Sequence, residues 1–592
     1  MHERTFSRIA PRRAKLFFYV VVILSGFLVA KLYDVQVLRG PVLAKQAFEQ
    51  RSDVVEVFGR RGSILDRDGN VLVRSLPSES VYAIPREVGN PHTTYALLKR
   101  ILPHPDPQLI SVLERRSSQF FWVERKVPHE TAQRISALAL PGIGIKEEDT
   151  GLRYDTVGHL ASTVLGFVGI DENGLDGVEY AFDPLLRGTS GRTILEADQF
   201  GRTIPFGEAT VVKPARAGFD VQLTIDSYLQ YETERALAQQ VHEFSAVSGS
   251  AVVMNPYTGE ILALANVPDY EPNSYLRFGE DARRNRAVMD AYEPGSTFKL
   301  ITAAAALQSG KLRPNSRFPA RDTLTVGGHT IHNAEDGFMA GTGGSESMED
   351  IVALSHNVGA AEIGMAIGKA RFYAMMRSMG FGAETALGLP GENPGIVLPL
   401  NEWSGTSLAT MSFGHGVSVT PVGLARAYCA IVNGGILLRP QILSAILGLD
   451  GHVVYRYGTQ VEHRVLSGRT AASLRTFMRA VVLRGTGKPT AQVPGYSTAG
   501  KTGTAQVVEN GHYAPGEYIA SFVGFVPYEH PRFVILVKVE KPRSAIYGSV
   551  VAAPAFAQIA HAAMLHAGVL PVSTPAPTTR PARLVNASST TK

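Results

Sequence analysis

The sequence predicts an α+β protein built from an N-terminal membrane helix, a mixed α+β region and a C-terminal domain of antiparallel sheet with helices. Three observations carry this. At 592 residues the chain is too long for one hydrophobic core. One long apolar run stands behind a cluster of basic residues near the start. Strand-like segments open and close the second half with helical patterns between them, the arrangement of a single α+β domain whose sheet is completed by its last strands. Composition is that of an ordinary globular protein, 45% hydrophobic and 19% charged, so core burial can stabilise it. The net charge of +5 is small for this length and the basic residues are dispersed, which argues against nucleic-acid binding. Cys429 is the one cysteine, which excludes an intramolecular disulfide and thiolate zinc clusters. It falls in an apolar helical run, 424–432, and reads as a small buried hydrophobe.

Taken in order, Arg4, Arg8, Arg12, Arg13 and Lys15 precede an uninterrupted apolar run, 16–30, that continues mostly apolar to 38 and is broken by Lys31, Asp34 and Gln36. This reads as one uncleaved span, with 1–15 as a cytoplasmic tail, 16–38 as a transmembrane anchor and the remaining chain outside the cytoplasmic membrane. No small-x-small cleavage site follows the apolar core. An extracytoplasmic location disfavours chemistry that uses cytosolic ATP or NAD. Residues 54–58 read as a strand, and 63–66 with 70–73 as a hairpin turning at Asp68-Gly69. Residues 93–102 and 130–138 look helical, and 166–191 reads as a Gly-rich loop region. Together they form a first, non-catalytic domain, 39–225. The second domain, 226–568, opens with a helix over 226–244 and a hairpin of 250–254 with 260–264. It closes with strands 519–526 and 533–539 and an amphipathic helix over 555–567. Residues 569–592, rich in Pro, Thr, Ser and Ala, read as a disordered tail.

Three short motifs fall in the second domain. Ser296-Thr297-Phe298-Lys299 follows Glu293-Pro294-Gly295 and leads into an apolar helical run, which places Ser296 at a helix N-terminus and Lys299 on the same face one turn on. A serine hydroxyl is a poor nucleophile until a neighbouring base takes its proton, and a lysine serves if burial or nearby cations lower its pKa. Taken alone, Ser-x-x-Lys is weak, because a helix-capping serine is the commoner meaning. Ser355-His356-Asn357 sets a hydroxyl and an amide two residues apart on a loop, able to relay a proton and hold a substrate amide. Lys501-Thr502-Gly503-Thr504 suits an edge strand. There Lys501 and Thr502 offer a cation and a hydroxyl to a carboxylate, Gly503 lets the substrate backbone come close, and the Thr504 N–H contributes to an oxyanion hole. Residues 495–502 also satisfy the phosphate-loop pattern G-x-x-x-x-G-K-[ST]. Pro494 stands where a buried strand should precede, and turn-forming residues follow where a helix should start, so that reading is set aside.

The order Ser-x-x-Lys, Ser-x-Asn, Lys-Thr-Gly is the recognised set of serine β-lactamases and penicillin-binding proteins. With the anchor and the first domain, the chain resembles class B penicillin-binding proteins over nearly its whole length. The first half carries that class's pattern in Arg61-Gly62, Asp66-Arg67, Gly69, Arg153-Tyr154, Gly174, Gly177 and Glu179. The resemblance implies a pedestal of the dimerisation type over 39–225, a serine β-lactamase-like penicillin-binding transpeptidase domain over 226–568, and buried ion pairs among Arg61, Asp66, Arg153 and Glu179. It implies a peptidoglycan D,D-transpeptidase with no cofactor and no metal, acylated on Ser296. Lys299, Ser355, Asn357 and Lys501 are its catalytic partners, and Thr502, Gly503 and Thr504 bind substrate. Peptide stems and β-lactams are its implied ligands, with a SEDS-type glycosyltransferase and other divisome membrane proteins as partners. Gly166-Phe167-Val168-Gly169 and Ser412-Phe413-Gly414-His415-Gly416 look like the division-type (FtsI-like) or sporulation-type branch, with the elongation type as rival. His356, where the family has a small polar residue, is expected to point away from the catalytic pair. D,D-carboxypeptidase or β-lactamase action, a β-lactam sensor and a catalytically silent scaffold are the other readings.

Overall fold

The computed structural model describes residues 6–117, 120–148, 150–196, 210–334, 344–509 and 511–571. The expected disordered tail lies outside them from residue 572 on. The described residues form two compact units, one drawn from 1–60 and 188–217, the other from 61–187 and 218–571.

The first unit begins with the helix Phe6–Tyr33, which runs into a π-helical turn, Asp34–Leu38. Its apolar side chains, Leu16 to Leu24 among them, are exposed, and the helix is long and apolar enough to cross a membrane. Asp34 is paired on both sides, with Lys31 and Arg39 each at 3.2 Å. A second helical segment, Gly548–His566, is also long and apolar, but 61% of it is buried and it packs in the core of the second unit. The unit also holds an antiparallel sheet of Ser52–Val57, Gly191–Glu196 and Thr210–Lys213.

The second unit is organised by a five-stranded antiparallel sheet in the order Ile261–Val267, Ser248–Met254, Phe533–Glu540, His512–Val526, Ala499–Glu509. The chain's last strands thus pair with its first hairpin, as the sequence pattern predicts. Alternate residues serve opposite cores. Ala251 and Val253 face the helices Ser227–Glu243 and Ala553–His566, whereas Val252 and Met254 join the core around the helices Lys299–Gln308, Pro421–Val432 and Gly468–Arg484. Covered on both faces, these strands read as continuous apolar runs. Cys429 is buried in Pro421–Val432.

A second, six-stranded sheet mixes the two halves of the chain. Ile64–Leu65 pairs in parallel with Asp220–Leu223, which pairs with Leu443–Leu447 of the catalytic half. The hairpin expected at Asp68-Gly69 is present, Ile64–Leu65 with Val71–Leu76. The region 166–191, expected as loop, contains two short helices, Gly177–Ala181 and Asp183–Leu186. Asp176 caps the first, and buried Glu179 inside it is held by two arginines. Of the four charges expected to pair, Arg61, Arg153 and Glu179 do so. Asp66 does not: its carboxylate accepts from the Asp68 and Asn70 N–H groups, the Asn70 amide and the Ser227 hydroxyl, closing the hairpin turn and tying it to the helix Ser227–Glu243. Those four donors hold its pKa below the ordinary carboxylate value against the opposing effect of burial.

Candidate active site

Ser296 sits in a 3-10 turn, Gly295–Phe298, that feeds the helix Lys299–Gln308, one turn earlier than an α-helical start. Gly295 adopts φ +52°, and a Cβ there would lie 2.7 Å from the Thr504 carbonyl, so only glycine lets this turn pass against the edge strand Ala499–Glu509. Gly503 is required from the same direction. A Cβ on it would meet the Ser521 hydroxyl at 2.3 Å and Thr297 at 2.9 Å, so the glycine serves packing of the strand on the serine turn.

Lys299 is 1% exposed, and its Nζ lies 3.0 Å from Ser296 Oγ, 2.8 Å from Asn357 Oδ1 and 3.2 Å from Ser355 Oγ, and it donates to the Ser355 carbonyl. Burial first, and then the charge of Lys501, press its pKa well below the ordinary lysine value. In the neutral amine two hydrogens satisfy the two carbonyl oxygens of Ser355 and Asn357. The lone pair is left for the Ser296 hydroxyl, which is the arrangement a general base needs.

Ser355 reaches this position because it caps the helix Met348–Leu354 in the left-handed region, φ +66°, a conformation that is costly for a non-glycine residue. Its Oγ lies between the two amines, 2.9 Å from Lys501 Nζ. Asn357 begins the next helix, Asn357–Ile367, and donates its amide to the His332 carbonyl at 3.0 Å, which fixes Oδ1 on Lys299. Lys501 is fully buried on the edge strand, with its pKa brought down to about 7 by that burial. A strand at this point rules out the phosphate-loop reading, which needs a helix start. Thr502 Oγ1 exchanges a 2.7 Å hydrogen bond with Thr486. Ser296, Ser355, Asn357, Thr502 and Thr504 line one cleft of about 640 Å³.

Sequence reasoning missed several residues. His356 is buried with Nδ1 2.5 Å from Glu346 Oε2, so it anchors the loop on a carboxylate ten residues earlier; nothing in the local pattern marks Glu346. Thr486 had no motif. Glu293 and His415 lie in motifs that were noticed without a role for either side chain, and Tyr513 in a segment read only as turns. Among the described residues no group of His, Cys, Asp or Glu could hold a metal ion.

A half-buried serine with a buried lysine one turn on, packed against the edge strand of an antiparallel sheet, and a hydroxyl shared by two amines define a serine acyltransferase of the penicillin-recognising fold. The chain belongs to the penicillin-binding proteins of class B: residues 249–561 match the penicillin binding protein transpeptidase domain and residues 56–223 the penicillin-binding protein dimerisation domain. It is 34% identical over 576 residues to stage V sporulation protein D of Bacillus subtilis, covering 95% of this chain and 87% of that one. It is 33% identical over 551 residues to the peptidoglycan D,D-transpeptidase FtsI of Escherichia coli, covering 91% and 89%. The crystal structure of penicillin binding protein 3 from Mycobacterium tuberculosis complexed with aztreonam superposes with a TM-score of 0.67 at 29% identity, covering 88% of this chain and 99% of that one.

Proposed function

We propose that this protein is a single-pass, membrane-anchored peptidoglycan D,D-transpeptidase that cross-links cell-wall peptide stems in septal synthesis, with its C-terminal domains outside the cytoplasmic membrane. The observation that carries the chemistry is the buried Lys299 amine 3.0 Å from Ser296 Oγ, held at the same time on the Ser355 carbonyl and Asn357 Oδ1. Ser296 attacks the carbonyl between two terminal D-alanines and Lys299 takes its proton. The N–H groups of Ser296 and Thr504 hold the oxyanion. Lys501, with Thr502, draws in the terminal carboxylate, and Ser355 passes a proton to the departing amine. An amine of a second stem then displaces Ser296. Basic residues ahead of the span support the orientation. Likeness to FtsI supports a septal role beside a SEDS-type glycosyltransferase and other divisome proteins, and likeness to the sporulation protein supports the sporulation variant of the same task.

The test is the intact mass of the detergent-solubilised protein after exposure to benzylpenicillin, beside Ser296→Ala. One adduct on the wild type and none on the variant is the expected result. A folded wild type that takes up no penicillin would leave the silent-scaffold reading in its place.

The two lysines also set a pH dependence. Lys299 works when neutral, above its depressed pKa, so acylation rises with pH at the acid end. Lys501 attracts a carboxylate when charged, below about 7 in the free enzyme, so acylation falls above that value. A bell-shaped second-order rate of benzylpenicillin acylation is expected across roughly pH 5 to 9. A rate that keeps climbing through the alkaline side would remove the cationic role from Lys501.

A further inference from the structure

Lys501, Thr502 and Thr486 form a cationic, hydroxyl-rich group beside Ser355. Tyr513 stands opposite Val508, seven residues along the edge strand from Lys501. Its hydroxyl donates to Glu293 at 3.1 Å and lies 3.3 Å from His415 Nδ1. Glu293 also accepts the Gly416 N–H at 2.7 Å, and its Oε2 is 3.8 Å from His415 Nδ1. The loop bearing His415 rests directly on the nucleophile turn: the Gly295 N–H donates to the Gly414 carbonyl, and a Cβ on Gly414 would lie 2.1 Å from the Gly295 carbonyl. His415 therefore lines the same cleft as Ser296.

Hydrogen-bond arithmetic fixes the imidazole. Glu293, already taking one N–H, is an acceptor, so the single Tyr513 hydrogen goes to it. The Tyr513 oxygen is left able only to accept, which makes His415 Nδ1 its donor and leaves Nε2 with a free lone pair. The ring is neutral, since burial pulls its pKa down to about 4.

Resting on the transpeptidase reading above, we propose that His415, oriented by Tyr513 and Glu293, binds the acceptor: it accepts a hydrogen bond from the primary amine that attacks the acyl-enzyme. The Glu293 carboxylate, hydrogen-bonded behind His415, draws in the acceptor as an ammonium, as Lys501 draws the donor's carboxylate, and the ammonium gives one proton to solvent to become the free amine. In the step itself the amine nitrogen bonds to the acyl carbon and the carbon–Oγ bond of Ser296 breaks. One amine proton passes through Lys299 to Ser296 Oγ, while the other remains on the new amide nitrogen. His415 takes no proton. It orients the nitrogen lone pair and favours the amine over water, which carries no cationic form to be attracted.

The experiment uses the full-length protein in detergent, a D-alanyl thioester as donor and glycinamide as acceptor, and reads the ratio of aminolysis to hydrolysis products. Benzylpenicillin acylation of each variant reports the state of the Ser296 machinery. His415→Phe is expected to lower the ratio by about tenfold, the worth of one oriented hydrogen bond. Tyr513→Phe and Glu293→Gln should lower it by about threefold by releasing the tautomer. Tyr513 is 44% exposed, so its variant folds even where His415→Phe does not. Variants that acylate and keep the wild-type ratio overturn the inference alone. So does a parallel fall of aminolysis and hydrolysis. A wild type that forms no acyl-enzyme overturns this inference and the transpeptidase reading together.

Discussion

Replacing Lys299 by methionine is expected to slow the acylation of Ser296 by benzylpenicillin by about 10²–10⁴-fold, the usual contribution of a positioned general base. Methionine fills nearly the same volume, so the helix Lys299–Gln308 keeps its packing. What disappears is the lone pair 3.0 Å from Ser296 Oγ, together with the two hydrogens that occupy the Ser355 carbonyl and Asn357 Oδ1. Those two acceptors lose a buried partner, at about 1–3 kcal/mol each, offset in part because a buried ionisable group has gone. Time courses with a fluorescent penicillin measure the rate, and thermal unfolding separates lost chemistry from lost structure. Acylation within tenfold of wild type by a folded methionine variant would transfer the base role to another group.

Glu179→Gln should destabilise the protein by about 3–5 kcal/mol, the cost of leaving buried charge without its partner. Arg61 places Nε at 2.8 Å and Nη2 at 2.5 Å from Glu179 Oε2, and Arg153 places Nε at 2.6 Å from Oε1, with all three side chains at most 5% exposed. Arg61 also donates to the Glu172 and Glu179 carbonyls and to Asp183, and Arg153 to the Gly62 carbonyl. Glu179 is thus the carboxylate shared by both guanidinium groups, Asp183 reaching Arg61 alone, and neutralising it strands the Arg153 charge where water cannot reach. Urea unfolding followed by circular dichroism measures the loss. A change below about 1 kcal/mol would mean that Asp183 and the carbonyls suffice for the two arginines.

What could be read from the sequence was what depends on local spacing. The N-terminal apolar helix, the hairpins at 64–73 and 248–267, and the three motifs each lie within a short stretch whose period or residue types carry the message. Ser296 and Lys299 meet because they are three apart on one turn. The features that escaped are those set by distant neighbours. Asp66 is a hairpin and helix tether because Ser227 arrives from the other half of the chain. Glu179 lies in a helix within an apparently loop-like glycine run because Arg61 and Arg153 hold it there. Gly503 is glycine because Ser521 and Thr297 fill its side, and His356 is quiet because Glu346 takes its ring. Each of these partners is paired by tertiary contact alone, which no window of sequence displays.

The pairing of Ser248–Met254 with Phe533–Glu540 has a consequence for biosynthesis. Ser296 is synthesised well before the strand that flanks it, Ala499–Glu509, which joins the rest of the sheet through two later strands, the second of which closes on the domain's opening hairpin. Closing so long a loop is entropically slow, so the domain gains its reactive serine in the last stage of its assembly. On the transpeptidase reading an unfinished chain is therefore expected to be chemically inert, and covalent capture by a β-lactam would mark molecules that have completed their fold.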